Sequence, residues 1–237
     1  MEIIPAIDII DGKCVRLIQG NFKSKKIYSS NPLKIAQLFQ KAGFKRLHLI
    51  DLEGAKVGRI KNRKTIEKIA KNTNLLIEFG GGVREERDIK KLLNLVIDRV
   101  ILGSLVLKEP KKFKKILKKF DEKILVAIDA KGDEIYYRGW QQKTKKELSS
   151  FLKDLIKLGV KSVIYTDIER DGTLKGPNFS LYQKLISKFP NLKIIAAGGI
   201  RNIKDLKKLS KIGLSGAIIG KAIYEKKIKL SDLKSFT

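Results

Sequence analysis

Short β-rich apolar runs alternate with amphipathic, lysine-rich segments along the 237 residues, and one half of the chain resembles the other. No run is long enough for a membrane helix, and no linker or composition break divides the chain. Together these observations predict an α/β fold with a parallel sheet. The specific expectation is one single-domain (β/α)8 TIM barrel over residues 1–237, built from two similar half-barrels, approximately 1–121 and 122–237.

Taken in order, the strand-like runs fall at 2–8, 46–51, 75–79, 99–102, 124–129, 161–167, 193–197 and 216–219. Helical spacing lies between them at 32–43, 62–72, 85–95, 110–119, 146–158, 178–188 and 202–211, with a shorter helix or two after the last strand. Asn31-Pro32 reads as a cap followed by the first helical residue, and Gly43 and Gly159 suit helix ends.

The half-repeat is explicit in the residues. GGGVREERDIKKL at 80–92 matches AGGIRNIKDLKKL at 197–209. At a spacing of 117 residues Gly82 falls on Gly199, Arg84 on Arg201, Asp88 on Asp205 and Gly103 on Gly220. Asp8 in PAID pairs with Asp129 in VAID, and Asp51 in HLID with Asp167 in IYTD. In an eight-strand ring, matched positions stand on opposite sides of the mouth.

Composition narrows the chemistry. Fifty-two basic residues face twenty-five acidic ones, for a net charge of +27. The lysines are spread over nearly every helix and are rarely interleaved with aromatics, which argues for a solvated surface and against specific nucleic-acid binding. A basic nucleic-acid-binding protein is the alternative from a different class; its signature is steeply salt-dependent DNA binding. One cysteine, Cys14, leaves no internal disulfide or thiolate cluster. The N-terminus lacks a signal-peptide pattern. The expected setting is the cytoplasm, with no membrane partner.

Glycines at strand ends let backbone N–H groups turn toward a phosphate. Gly81, Gly82, Gly103 and Ser104 form one such set; Gly198, Gly199, Gly220 and Lys221, with Gly176 in the loop before them, form its counterpart. Two matched sets imply a ligand with a phosphate at each end. Between them, Asp8 and Asp129 each end an apolar strand, where they form an acid–base pair. His48 lies within the second strand and reads as structural, so proton transfer falls to carboxylates. An ordinary Asp has a pKa of about 3.9. The acid of the pair therefore needs burial or a second negative charge to stay protonated near neutrality.

Other mouth residues come from loops. TDIERDGTLKGPN carries Thr166 and Asp171 and is suited to contact a sugar or supply another carboxylate. Trp140, beside Arg138, is placed to stack on a flat heterocycle. Arg16 and the hinge-like Gly20 lie in a long basic loop that reads as a lid.

The stretches IPAIDIIDGKCVRLIQG, HLIDLEGA, EFGGGVR, VAIDAKG, YRGW, YTDIERDGTLKGPN, AAGGIR and IIGKAIYE resemble the histidine-biosynthesis phosphoribosylformimino-5-aminoimidazole carboxamide ribotide isomerase family, in order and over essentially the whole chain. The resemblance implies a metal-independent, cofactor-free Amadori rearrangement of a bisphosphorylated ribotide. It implies Asp8 as base, Asp129 or Asp171 as acid, Thr166 as a supporting residue, and Trp140 and Arg84 as holders of the heterocycle and loops. A monomer is expected. The sister cyclase of the pathway and a bifunctional isomerase that also takes phosphoribosylanthranilate are the alternatives within this resemblance.

Overall fold

The computed structural model describes residues 1–236. The first half runs β1 (Glu2–Ile10), β2 (Lys13–Ile18), β3 (Asn21–Ser29), α1 (Pro32–Lys41), β4 (Arg46–Asp51), α2 (Leu52–Val57), α3 (Arg63–Lys71), β5 (Leu76–Gly80), α4 (Glu86–Asn94), β6 (Ile97–Leu102), α5 (Ser104–Lys108) and α6 (Pro110–Phe120). The second runs β7 (Ile124–Lys131), β8 (Glu134–Tyr137), β9 (Gln142–Glu147), α7 (Leu148–Lys157), β10 (Ser162–Asp167), α8 (Phe179–Lys188), β11 (Lys193–Ala197), α9 (Ile203–Ile212), β12 (Gly216–Ile219) and α10 (Lys221–Tyr224).

Eight parallel strands close into a barrel in the order β1-β4-β5-β6-β7-β10-β11-β12, with β12 returning to β1. The α/β barrel expected from the alternation is therefore present. Among the described residues no helix is long and apolar enough to cross a membrane.

The strands are apolar on both faces because both are covered, as parallel sheets require. On β1, Ile3, Ile7 and Ile9 join the large core beneath the helices, while Ile4 and Ala6 point inward with Ile101, Leu125, Ile164, Ile195 and Ile218. Each full burial of such a side chain contributes about 1.5–3 kcal/mol. The Asn31 carboxamide caps α1, with Pro32 at its start. Gly43 and Gly159 follow α1 and α7 in the left-handed conformation, at φ 96° and 94°.

Two parts of the mouth differ from the sequence expectation. The segment after β1 is no plain loop: β2 pairs antiparallel with β1, and β3 with β2. Its counterpart after β7 is a second antiparallel extension, β8 and β9. Residues 146 and 147, expected in a helix, belong to β9 because Glu147 pairs with Glu134; α7 starts at Leu148. The short helix α2 is a further difference from the sequence expectation.

A buried carboxylate at the end of β4 organises the βα loop beyond it. Asp51 is wholly buried and accepts hydrogen bonds from the N–H groups of Gly54, Lys61 and Asn62 and from the Asn62 carboxamide, at 2.7–2.9 Å. Its half-repeat counterpart Asp167 ends β10, is buried, and accepts from the Glu169 N–H. Asp51→Asn places an amide donor among donors. The expected loss is about 3 kcal/mol of unfolding free energy, read from urea titration; a loss under about 0.5 kcal/mol would refute this account of the loop.

Candidate active site

The inward residues at the C-terminal ends of the strands line a cavity of about 240 Å³. Asp8 on β1, Asp129 on β7 and Asp171 in the loop after β10 all face it, with Thr166, Arg16, Gly20, Arg84 and Trp140. Strands β1 and β7 are four places apart in the ring of eight, so Asp8 and Asp129 approach from opposite walls.

Arg16 joins Asp8 to Asp171. Its Nη1 donates to Asp8 Oδ2 at 2.8 Å, and Nη2 lies 3.8 Å from Asp171 Oδ1. The guanidinium is buried, and these anions push its pKa up despite the burial. Asp171 is pushed up to about 6: burial raises it most, Arg16 opposes, and the negative charges of Asp8 and Asp129 add to the rise. Burial also raises Asp129, partly offset by hydrogen bonding from Trp140 and Thr166 and by His48 nearby. The site thus holds two acids poised to retain a proton and one carboxylate clamped by arginine.

The two glycine sets have different surroundings. Gly80, Gly81, Gly82, Gly103 and Ser104 line the cavity. Gly81 and Gly82 take φ of 105° and 84°. A Cβ on Gly81 would strike the Asp51 backbone, so glycine is needed there for packing as well as for exposing N–H groups. Gly103 is less crowded: a side chain there would make only ordinary contact with Ala127, at 3.6 Å.

At the other end Gly198 and Gly199 repeat these conformations, at φ 93° and 83°. Gly198 packs on Asp167, and Gly199 on Gly176. Gly176, Gly198, Gly199, Gly220 and Lys221 do not line the central cavity. The Arg16 guanidinium occupies the space beside Gly220, and the Leu17 backbone packs on Gly172. Lys221 Nζ donates to the Gly172 carbonyl at 2.6 Å. Gly176 instead borders an outer pocket with Arg170, Lys175 and Arg201.

The two strand extensions meet over the mouth. The Trp140 indole packs directly on Gly20, a position where a Cβ would clash with the ring. Arg138, Gly139 and Trp140 take left-handed conformations in succession, at φ 56°, 61° and 68°. For Arg and Trp that geometry carries strain, which is concentrated beside the cavity. The Arg84 guanidinium lies directly over Gly58, whose φ of 81° favours glycine.

Three further residues stand at or near the cavity, of which only Lys108 went unremarked in the sequence. His48 is buried, as a structural residue should be, yet it lines the cavity. Lys108 sits near Arg84 and Arg138; desolvation and those two positive charges lower its pKa. The Arg138 N–H donates to Ser104 Oγ at 2.9 Å, drawing the β8 loop toward the open glycine set. Lysine at the end of a five-residue helix gave no periodic signal, but its following of Gly103-Ser104 by four positions could have marked it. Among the described residues no group of three or more His, Cys, Asp or Glu side chains is placed to hold a metal ion.

Comparison with known proteins agrees with this geometry. A family model described as histidine biosynthesis protein matches residues 2–229. The chain is similar to a protein of Parabacteroides distasonis, at 47% identity over the full length of both. It is 45% identical to one of Bacteroides thetaiotaomicron, covering all of this chain and 99% of the relative. It is 44% identical to one of Flavobacterium psychrophilum, covering all of this chain and 98% of the relative. Each relative is named 1-(5-phosphoribosyl)-5-((5-phosphoribosylamino)methylideneamino) imidazole-4-carboxamide isomerase.

The raised pKa of Asp171 has a consequence for stability. Between pH ~4 and ~6 the folded protein holds a proton that the unfolded chain has released. This group's contribution is therefore greatest below pH ~4 and declines up to pH ~6, by at most about 3 kcal/mol. Relative to wild type, Asp171→Asn should be more stable at pH 7.5 than at pH 4.5. Urea titrations at both values check this; an equal difference at the two pH values rejects the burial account.

Proposed function

The chain belongs to the histidine biosynthesis protein family, and on that premise we propose that it is an aldose–ketose isomerase converting the aminoaldose ribotide ProFAR to the aminoketose PRFAR. The single observation that supports the mechanism is the set of three carboxylates, Asp8, Asp129 and Asp171, lining one mouth, two of them with raised pKa values. That set matches a reaction made of proton transfers.

The reaction opens with protonation of the ribose ring oxygen, which breaks the C1′–O bond and leaves an iminium at C1′. A base then removes the C2′ proton, and its electron pair forms the enolamine. Loss of the enol proton and protonation at C1′ give the aminoketose, with no net change in atoms or electrons. Asp8 is assigned the C2′ proton, since Arg16 fixes its carboxylate and balances its charge. Asp129 is assigned the ring oxygen: burial favours its protonated form, and Thr166 and Trp140 orient it. Asp171 is the alternative acid, because its pKa of about 6 suits the same task. No metal or organic cofactor has a step in this scheme.

The glycine sets take the two phosphates. Arg84, Lys108 and Arg138 surround the Gly103-Ser104 end with unlike charge. The opposite end, beneath Arg16 and the β2–β3 hairpin, opens as that hairpin moves. The present cavity, about 240 Å³, lies below the roughly 300–1,000 Å³ typical of ligand pockets, in keeping with a mouth that must widen. Trp140 provides the face for the imidazole. Both walls come from one chain, which supports a monomer, and the phosphorylated metabolite supports a cytoplasmic setting.

Purified protein should turn over ProFAR. Asp8→Asn should lower kcat at least about 10²-fold while product binding persists. Asp129→Asn should do the same; retained activity there, together with loss in Asp171→Asn, transfers the acid role to Asp171. A folded wild-type protein without turnover refutes the isomerase reading.

A further inference from the structure

His48 is the chain's one histidine. On β4 it is in register with Ala6 of β1 and Glu78 of β5. Its Nδ1 lies 2.8 Å from Glu78 Oε1. The second carboxylate oxygen, Oε2, accepts from Arg99 Nη2 of β6 at 2.7 Å. Three adjacent strands therefore contribute one connected polar chain across the barrel interior.

Stability does not account for this chain. The Glu78 side chain is completely buried, among inward residues that are otherwise mostly Ile, Leu and Ala. Removing charges from water is costly, and a hydrophobic set of similar volume is often as stable or more so. Arg99 also keeps a buried Nε with no partner. The ion pair is thus incompletely satisfied.

What the carboxylate does accomplish is to hold one ring. Each of its oxygens has a single partner, and Arg99 supplies the balancing charge. An ionised acceptor at Nδ1 requires the hydrogen on that nitrogen, because the bond made by one ring nitrogen sets the state of the other. One inward position further along β5 is Gly80, which contributes no side chain. His48, Gly80 and Asp129 all line the cavity.

We infer that Glu78 is a positioning residue: with Arg99 it holds His48 in one orientation and tautomer, presenting Nε2 to the substrate as an acceptor for a hydroxyl or amide N–H beside Asp129. The inference rests on the isomerase reading above. Arg46 is the other cation close to Glu78; it is committed to Glu2 and Asp98, at 3.1 and 2.5 Å.

A lone histidine makes the test direct. In tag-free protein labelled with ¹⁵N-histidine, one ring gives one pair of nitrogen resonances. The wild type should show hydrogen on Nδ1 and a bare Nε2 whose resonance moves when PRFAR is added. Two double variants then separate tether from charge. In Glu78→Leu/Arg99→Leu both charges and the acceptor are gone; the fixed tautomer should be lost and kcat/KM should fall about 10–100-fold. In Glu78→Gln/Arg99→Leu the amide oxygen still accepts from Nδ1; the tautomer should return, with kcat/KM within about fivefold of wild type.

Hydrogen on Nε2 in the wild type, or an Nε2 resonance indifferent to PRFAR, overturns the inference. So does equal activity of the two double variants. Wild-type turnover with no effect in the Leu/Leu variant refutes this inference alone. Absence of wild-type turnover refutes the isomerase reading and the substrate contact with it.

Discussion

Two buried carboxylates, Asp51 and Asp167, hold the mouth of the barrel in shape. Each ends a strand, draws the following loop inward through backbone N–H groups, and leaves its own backbone as a surface on which the next strand's glycine packs. Gly81 and Gly198 can approach that surface only without a side chain and with positive φ. The glycine sets, and hence the phosphate ends proposed for them, therefore depend on acids that never meet a ligand. The same constraint explains why both halves keep an Asp at this point, since an unbonded loop there would strand buried donors.

Symmetry of backbone does not give symmetry of access. The first-half glycines face the cavity, whereas among their counterparts Gly220 lies under Arg16 and Gly198 and Gly199 pack on Asp167 and Gly176. That hairpin also brings Arg16 to Asp8 and Asp171. One structural element thus fixes the Asp8 carboxylate, lies beside that of Asp171 and covers Gly220. Any shift of Arg16 away from Gly220 would also loosen its hold on Asp8 and Asp171.

Much of the fold was legible because local periodicity and tertiary burial agree. The eight barrel strands are apolar on both faces, and the intervening helices show one clear stripe each. Asp8 and Asp129 stood out as lone acids ending such strands. The hairpins were not legible: NFKSKKIYS and QKTKKE are polar, largely exposed strands without alternation, stabilised by pairing to β2 and β8. The burial of Gly220 under Arg16 is a contact across the whole chain and leaves no local trace. His48 and Glu78 were readable in part. Glu78 is the only charge in the apolar run LLIEF, and an acid inside a parallel barrel strand requires partners. What could not be read was that those partners would be His48 and Arg99, because sheet register assigns them.

The indole over the cavity gives the molecule an optical property as well as a chemical one. Trp140 is the chain's single tryptophan, and it stands where the extensions of the two half-barrels touch, against Gly20. All indole emission from this protein therefore originates at that seam. Its colour and intensity report how exposed that seam is without any label, and under light absorbed by tryptophan alone an observer watches the doorway while the six tyrosines stay dark.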